Sequence, residues 1–198
     1  MRRHGRLTWF APKDLDADQR RLYEAISGGP RASGGSPFPL TDERGRLEGP
    51  FNAMLVHPGI GDAVQALGAR IRYGSALSDR ERELAILRVA AHARSEFEWY
   101  AHQRVGRAAG LSDAEMTGAA AGIAAGSLSA AEDMVLHVVT RLVAYGDLDD
   151  TSFTRAERLL GTRRLADLVV LVGYYQLLAL SLRVWRTPLP AGEDVTIG

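Results

Sequence analysis

Three ionisable residues stand where a helical pattern requires apolar side chains: Glu83, Glu98 and His102. At about 100° per residue, Glu98 and His102 share one helix face with Ala101 and Val105. A buried ionisable group costs several kcal/mol unless it is paired, so such groups either satisfy one another or do chemistry. We therefore predict that Glu98 and His102 form an acid–base pair, assisted by Glu83 from the preceding helix.

Each of these residues also has a structural explanation. Ser95 and Glu98 have the spacing of a capping box, in which the glutamate only closes the first helical turn. His102 could be a neutral core histidine, and Glu83 could pair with an arginine of another helix. The buried polar residues would then merely fix helix packing. As a further alternative, two carboxylates and one imidazole could hold iron or manganese.

The elements that must position these residues are helices. Four Ser-x-x-Glu capping boxes mark helix starts; they are Ser78/Glu81, Ser95/Glu98, Ser112/Glu115 and Ser129/Glu132. With the apolar periodicity they predict helices over 14–27, 58–73, 79–93, 96–109, 113–122, 130–145, 151–160 and 163–184. A weak repeat relates Tyr73-Gly74 to Tyr145-Gly146, as in a duplicated helical hairpin. The prediction is an all-α bundle of about eight helices.

The length of 198 residues suits one domain spanning 1–198. Between residues 28 and 50 lie six glycines and four prolines, which predict a long irregular connection. Connections of this length are commonly lids or arms around a neighbouring subunit, and a plain disordered linker is an equal alternative.

Composition excludes several classes of function. The 24 basic and 24 acidic residues give zero formal charge, which indicates neither a nucleic-acid partner nor an anionic membrane. The absence of cysteine excludes disulfides and thiol chemistry. No apolar stretch looks long enough to span a bilayer, so we expect a soluble, cytoplasmic protein. The arginine-rich start, with His4, is expected to be a solvated tail.

Several motifs together resemble the carboxymuconolactone decarboxylase family, which shares its fold with alkylhydroperoxidase D-like proteins. They cover roughly residues 47–190 and are Gly49-Pro50-Phe51-Asn52, Leu77 to Leu84, Glu98-Trp99 with His102, Gly110-Leu111-Ser112 and Gly173-Tyr174-Tyr175. The peroxidase branch has a glutamate, two cysteines and a histidine at the spacing occupied here by Glu83, Ser95, Glu98 and His102. Because both cysteines are replaced, peroxidase activity is not expected.

The resemblance to the decarboxylase-type branch implies a carboxy-lyase that works without metal or organic cofactor on a carboxylated lactone or related small acid. It implies catalysis by Glu83, Glu98 and His102, with His102 as proton donor polarised by Glu98. Asn52 or a tyrosine would bind the oxyanion, and Phe51, Trp99 and Tyr175 would also contact substrate. A homotrimer or homohexamer is implied as well. The same groups would serve an isomerase, a lactone hydrolase or a retro-aldol lyase, and the alternative in another class is a noncatalytic binding or structural oligomer.

Overall fold

The computed structural model describes residues 2–29 and 38–197. Its helices are α1 (Ala17–Ser27), α2 (Pro50–Met54), α3 (Pro58–Gly74), α4 (Asp79–Ala93), α5 (Glu96–Ala108), α6 (Asp113–Ala121), α7 (Ala130–Tyr145) and α8 (Asp150–Trp185). A 3-10 turn spans Pro12–Asp14. The predicted all-α class with about eight helices is confirmed, although the short α2 was not predicted.

Serine caps start three of these helices as the sequence predicts. The side chains of Ser78, Ser112 and Ser129 accept the backbone N–H three residues ahead, and the paired glutamates return the bond. The fourth box does not close, because Ser95 forms no side-chain capping bond at the start of α5. Glu98 therefore does not close a capping box, although its spacing from Ser95 predicts one.

Helix α4 is the centre of the bundle. It packs against α5, α6, α7 and α8 and is buried over most of its length. Residues on opposite sides of α4 enter two different apolar clusters, so one helix joins both parts of the core. A polar residue on α4 can consequently reach partners on any of four helices.

The last helix is kinked at Gly161, whose φ of 79° is not helical. The two helices predicted over 151–160 and 163–184 are thus joined end to end. By length and composition α8 is apolar enough to cross a membrane, contrary to the sequence-based expectation, yet half of its apolar window is buried against the other helices. Such burial is typical of a core helix.

The N-terminal segment is an integral part of the fold rather than a solvated tail. Strands β1 (Arg3–His4) and β2 (Leu7–Thr8) form a short antiparallel hairpin. The His4 side chain is buried and stacks on Trp9 at 4.6 Å between ring centroids. The expectation that His4 is solvated was wrong, because Trp9 and Glu48 cover it.

The Gly/Pro-rich connection predicted over 28–50 lies only partly within the described residues, since positions 30–37 fall outside them. From residue 38 onward it makes a tight turn, with a bridge between Thr41 and Leu47 and an ion pair between Asp42 and Arg46. It then enters α2 with Pro50 in the first turn. This part of the connection borders the candidate site.

Candidate functional site

A cavity of about 70 Å³ lies between α3, α5 and α8, with the segment leading into α2 on one side. Most of its wall is aromatic or aliphatic. The lining residues are Phe38, Leu40, Pro50, Phe51, Gly68, Arg72, Phe97, Glu98, Ala101, His102, Tyr174, Tyr175 and Leu178. An apolar wall with a few convergent polar groups is the usual form of a small-molecule site.

Helix α5 supplies the acid–base groups. Phe97, Glu98, Ala101 and His102 recur at spacings of three and four, so one stripe of this helix faces the cavity. This confirms the predicted common face of Glu98 and His102. Ala101 between them is small enough to leave room for a ligand beside both.

The partner of His102 is Glu83 on α4, not Glu98. His102 Nδ1 lies 2.7 Å from Glu83 Oε2, and both side chains are buried. Arg82 Nε lies 3.5 Å from the other Glu83 oxygen. The bond to Nδ1 leaves Nε2 as the ring nitrogen available to a ligand, and it fixes the ring orientation. The predicted Glu98–His102 pair is therefore corrected to Glu83–His102.

Glu98 is buried without a hydrogen-bond partner for either carboxylate oxygen among the residues that the structure describes. Burial raises the pKa of Glu98 to about 8, against a smaller opposing effect of the Ser95 hydroxyl. The first turn of a helix favours negative charge by at most about 2 kcal/mol, which is less than the loss of hydration at this depth. Glu98 is consequently an uncharged acid at neutral pH, facing the cavity.

Tyr175 lines the cavity beside His102. Its ring meets His102 edge-on at 5.1 Å and Tyr174 at 5.3 Å between centroids. Burial, followed by the charge of Glu83, raises the pKa of Tyr175 well above its usual value. The hydroxyl therefore stays protonated and can donate a hydrogen bond.

The structure brings Phe51 and Tyr175 to the cavity wall but not the other two predicted substrate contacts. Asn52 is fully buried elsewhere: its Oδ1 accepts from the Phe10 N–H at 3.1 Å and its Nδ2 donates to the Thr8 carbonyl at 3.0 Å. Its amide thus fastens the N-terminal segment to α2. The role proposed for Asn52 at an oxyanion does not fit this placement.

Trp99 follows Glu98 in sequence but points to another part of the core. It packs with Leu84, Leu87 and Met116 in the cluster formed by α4 and α6, and it does not line the cavity. One residue of helix advance rotates a side chain by about 100°, which carries Trp99 away from the stripe that holds Glu98. Trp99 therefore supports the fold.

Gly49 shapes the wall beside Phe51. Its φ is 59°, and a Cβ at this position would overlap the ring of Phe97. Glycine allows both the left-handed backbone and the close approach. The Gly49-Pro50-Phe51 motif thereby turns the chain so that Pro50, Phe51 and Phe97 meet at the cavity.

Arg72 is a charged cavity residue that sequence analysis missed. Arg72 lies in the last turn of α3, four residues after Gly68, and both line the cavity. A basic residue at a helix end is normally explained by the helix dipole, so its type and position gave no signal. Only the packing of α3 against α8 places it near Tyr175, whose ionisation its charge favours.

Metal binding was an alternative use of the two carboxylates and the imidazole. Within residues 2–29 and 38–197, no group of three His, Asp or Glu side chains is arranged to hold a metal ion. Glu83 and His102 instead use their facing atoms on each other.

Comparisons with known proteins agree with this architecture. A profile of the carboxymuconolactone decarboxylase family matches residues 58–141, which span α3 to most of α7. No curated protein sequence matches the chain. Several solved structures share its fold.

One is an uncharacterised peroxidase-related protein from Ralstonia eutropha with an alkylhydroperoxidase AhpD core. It has a TM-score of 0.74 and a sequence identity of 13%, and the match covers 96% of this chain and 95% of that one. A second is a protein of unknown function from Agrobacterium tumefaciens that is grouped with the antioxidant defence protein AhpD. It has a TM-score of 0.64 and a sequence identity of 18%, and the match covers 73% of this chain and 99% of that one. A third is the debrominase Bmp8, solved as a cysteine-to-alanine variant with 2,3,4-tribromopyrrole. It has a TM-score of 0.68 and a sequence identity of 10%, and the match covers 88% of this chain and 87% of that one.

At such identities these structures establish a shared fold, which hosts more than one chemistry. The solved structures confirm the AhpD-like helical fold that the motifs predict. Residues 58–141 of the chain match the carboxymuconolactone decarboxylase family, in agreement with the resemblance noted from the motifs.

Proposed function

We propose that this protein is a carboxy-lyase, or a closely related proton-transfer enzyme, acting on a small carboxylated lactone or similar organic acid. The observation that carries the proposal is the buried, uncharged Glu98 carboxyl. It has no hydrogen-bond partner among the described residues and lies one helical turn from a histidine held by Glu83. An acid and a base with different environments on one cavity wall are the equipment of proton transfer. The small apolar cavity suits a compact substrate.

In the proposed reaction, the bond between the substrate carboxylate and its ring carbon breaks and CO₂ leaves. The electron pair passes through the conjugated system to the lactone carbonyl, giving an extended enolate. Glu98 then donates its proton to the distal carbon, where the enolate electrons form the new C–H bond. Solvent returns a proton to Glu98. This exchanges the roles first assigned to Glu98 and His102.

His102 serves the same step from its Nε2 side. In its doubly protonated form it keeps the bond to Glu83 through Nδ1 and presents Nε2–H to the enolate oxygen. With one proton on Nδ1, Nε2 can accept a proton, as an isomerase requires. The Tyr175 hydroxyl is a second donor for the oxyanion, and Phe51, Phe97 and Leu178 provide a dry surface for the carboxylate that leaves.

The test is turnover of a panel of carboxylated butenolides and β-keto acids, followed by CO₂ release and by proton NMR in D₂O. Product should carry one deuterium at the newly protonated carbon. Glu98→Gln should lower kcat/KM by about 10²–10⁴-fold, the usual contribution of a general acid. Glu96→Gln, on the exposed side of the same turn, should retain wild-type rates. Equal activity of Glu98→Gln and wild type would contradict the mechanism.

We also propose that the chain assembles as a homo-oligomer through a surface of α8, here called the α8 stripe. Its members recur every three or four residues and are Ala166, Val169, Val170, Gly173, Leu177, Leu180 and Val184. Leu180 is 62% exposed and Val169 51%. Continuous apolar helix faces of this kind mark association sites.

A second copy of the chain fits the α8 stripe best. Apolar residues lie four and seven positions on either side of Gly173, so two antiparallel α8 helices crossing there would oppose matching residues. The Cβ position of Gly173 meets nothing within 4 Å, which leaves room for close helix approach. The opposite face of the same helix carries Tyr174 and Tyr175, so an oligomer contact would lie next to the cavity.

A further inference from the structure

Arg82 is a buried arginine that contacts the carboxylate behind His102. Its side chain is 8% exposed, and its Nε lies 3.5 Å from Glu83 Oε1, the oxygen that His102 does not use. Neither Arg82 Nε nor Glu83 Oε1 has a hydrogen bond within the part of the chain that the structure describes. Neighbouring residues of a helix point about 100° apart and do not normally face each other. This unusual contact places a positive charge against the fully buried Glu83.

Two other arginines, Arg80 and Arg164, pair with glutamates that close capping boxes at helix starts. Those ion pairs serve the fold. Glu83 closes no capping box, and its Oε2 is bonded instead to His102 at the cavity. The charge of Arg82 is thus directed to the candidate site.

The charge beside Glu83 decides how many protons the Glu83–His102 pair holds. A buried carboxylate stays ionised only beside a positive charge, and both Arg82 and His102 lie within ion-pair distance of it. With Arg82 as the positive charge, one proton suffices for the pair, because it lies on His102 Nδ1 and Nε2 has none. Without Arg82 the pair needs a second proton, which makes His102 an imidazolium or Glu83 a carboxylic acid that donates to Nδ1. In both cases Nε2 carries a proton.

Asp79 does not cancel the charge of Arg82. Arg82 Nη2 donates to Asp79 Oδ1 at 2.8 Å, but the Asp79 side chain is 77% exposed, and water screens its charge. The contact between Arg82 and Glu83 is shielded from water. Asp79 therefore fixes the position of the guanidinium, whose charge acts on Glu83.

The other ionisable groups around the cavity add no negative charge to His102. Glu98, on the same helix, is uncharged at neutral pH, and the Tyr175 hydroxyl of α8 stays protonated. Arg72 of α3 adds a positive charge to the same cavity. Glu83 is therefore the negative charge that the imidazole meets.

We propose that Arg82 is a positioning residue of the candidate site: its charge keeps Glu83 ionised, so that His102 rests with one proton on Nδ1 and with Nε2 free to accept another. Of the two protonation forms open to His102, Arg82 selects the neutral one, which can act as a base. Tyr175 then remains as the donor for an oxyanion. The use of this base in catalysis rests on the proposed function, whereas the protonation state itself does not.

The experiment observes the imidazole nitrogens of His102 by NMR of protein labelled with ¹⁵N-histidine, at pH 7 and without substrate. His102→Leu identifies the signals of His102 among those of the five histidines. In wild type, Nδ1 should carry a proton and Nε2 none. In Arg82→Met, Nε2 should be protonated, and the pH at which it gains its proton should rise by about one to three units, the usual effect of a neighbouring charge.

Further variants separate the charge of Arg82 from its packing. Arg82→Lys keeps the charge and should leave Nε2 largely unprotonated. Arg82→Gln keeps a donor for Asp79 but not the charge, so it should protonate Nε2 even if methionine is not tolerated at this position. Asp79→Asn removes a negative charge and should leave Nε2 unprotonated, because loss of a negative charge does not favour a further proton.

Arg107→Met is the matched control, because Arg107 is exposed on α5, the helix of His102, and pairs with Asp113 at the surface. Its spectrum should resemble that of wild type, and unchanged signals of the other histidines show that each variant is folded. A protonated Nε2 in wild type, a bare Nε2 in Arg82→Met or Arg82→Gln, or a protonated Nε2 in Asp79→Asn or Arg107→Met would each overturn the assignment. If these results are as expected but no acid of the panel is turned over, only the proposed function fails.

Discussion

Glu83 Oε2 and His102 Nδ1 lie 2.7 Å apart across the packed helices α4 and α5, nineteen residues apart in the chain. This bond takes up one ring nitrogen of His102 and leaves Glu98, one turn away on α5, with no partner among the described residues. The site therefore separates an oriented imidazole from an uncharged carboxylic acid. The predicted pH dependence of stability and the predicted coupling of Glu83 to His102 depend on that separation.

The first prediction concerns stability against pH. The folded-state pKa of Glu98, about 8, lies above its ordinary value of 4.5, so the folded state holds the proton more tightly than the unfolded state. The contribution of the protonated Glu98 carboxyl to the free energy of unfolding is fully present below pH 4.5. Roughly 4 kcal/mol of it is lost as the pH rises to about 8. Glu98→Gln removes this loss because its amide does not ionise.

Urea unfolding at pH 5, 7 and 9 provides the measurement. The free energy of unfolding of wild type should decline relative to Glu98→Gln across this range. Subtracting the free energy of unfolding of the variant from that of wild type removes the contributions of other titrating groups, including His4 and Glu48. Glu96→Gln should follow wild type, and parallel curves for wild type and Glu98→Gln would contradict an uncharged buried Glu98.

The second prediction treats Glu83 and His102 as one unit. Glu83→Met alone or His102→Leu alone leaves a buried polar partner unpaired and should destabilise by about 3–5 kcal/mol. The double variant should be close to wild type or more stable, by up to about 4 kcal/mol, and catalytically inactive. Denaturant titrations of the four proteins give the coupling free energy. A double variant as unstable as the sum of the single variants would mean that the two residues act independently.

The third prediction is oligomerisation through the α8 stripe. Light scattering should give a mass well above the chain mass of 21.5 kDa. Of the trimer and hexamer that the family resemblance implies, the hexamer contains two-fold contacts. Leu180→Glu should dissociate the assembly, because a carboxylate would be buried at the contact. Ile123→Glu is the control, since Ile123 is equally exposed at 66% but lies outside the stripe. A wild-type mass near 21.5 kDa over a broad concentration range would refute the proposal.

The fourth prediction is the absence of thiol-dependent peroxidase activity, although two solved structures with this fold are of proteins grouped with AhpD or peroxidases. Ser95 and Glu98 stand where the peroxidase branch has cysteines, and neither can form a sulfenic acid. Reduction of an organic hydroperoxide with thiol donors should not exceed that of heat-treated protein. Activity above that background would require another mechanism.

Local sequence patterns determined the helices. Capping boxes at Ser78, Ser112 and Ser129 specify where helices start, because the cap and its glutamate are three residues apart and need no other element. The common face of Glu98 and His102 follows equally from helical geometry. Fold class, the starts of the capped helices and the two ionisable residues of α5 that face the cavity were thus predictable from the sequence.

Tertiary packing alone decided which groups meet. His102 has Glu98 one turn away along its own helix, yet the packing of α5 on α4 gives it Glu83 instead. Likewise, Thr8 and Phe10 of the N-terminal segment engage both amide atoms of Asn52. The approach of α3 to α8 brings Arg72 to the cavity. Periodicity specifies the face of a helix on which a side chain lies. The partner across that face depends on how helices distant in sequence pack, which no local pattern encodes.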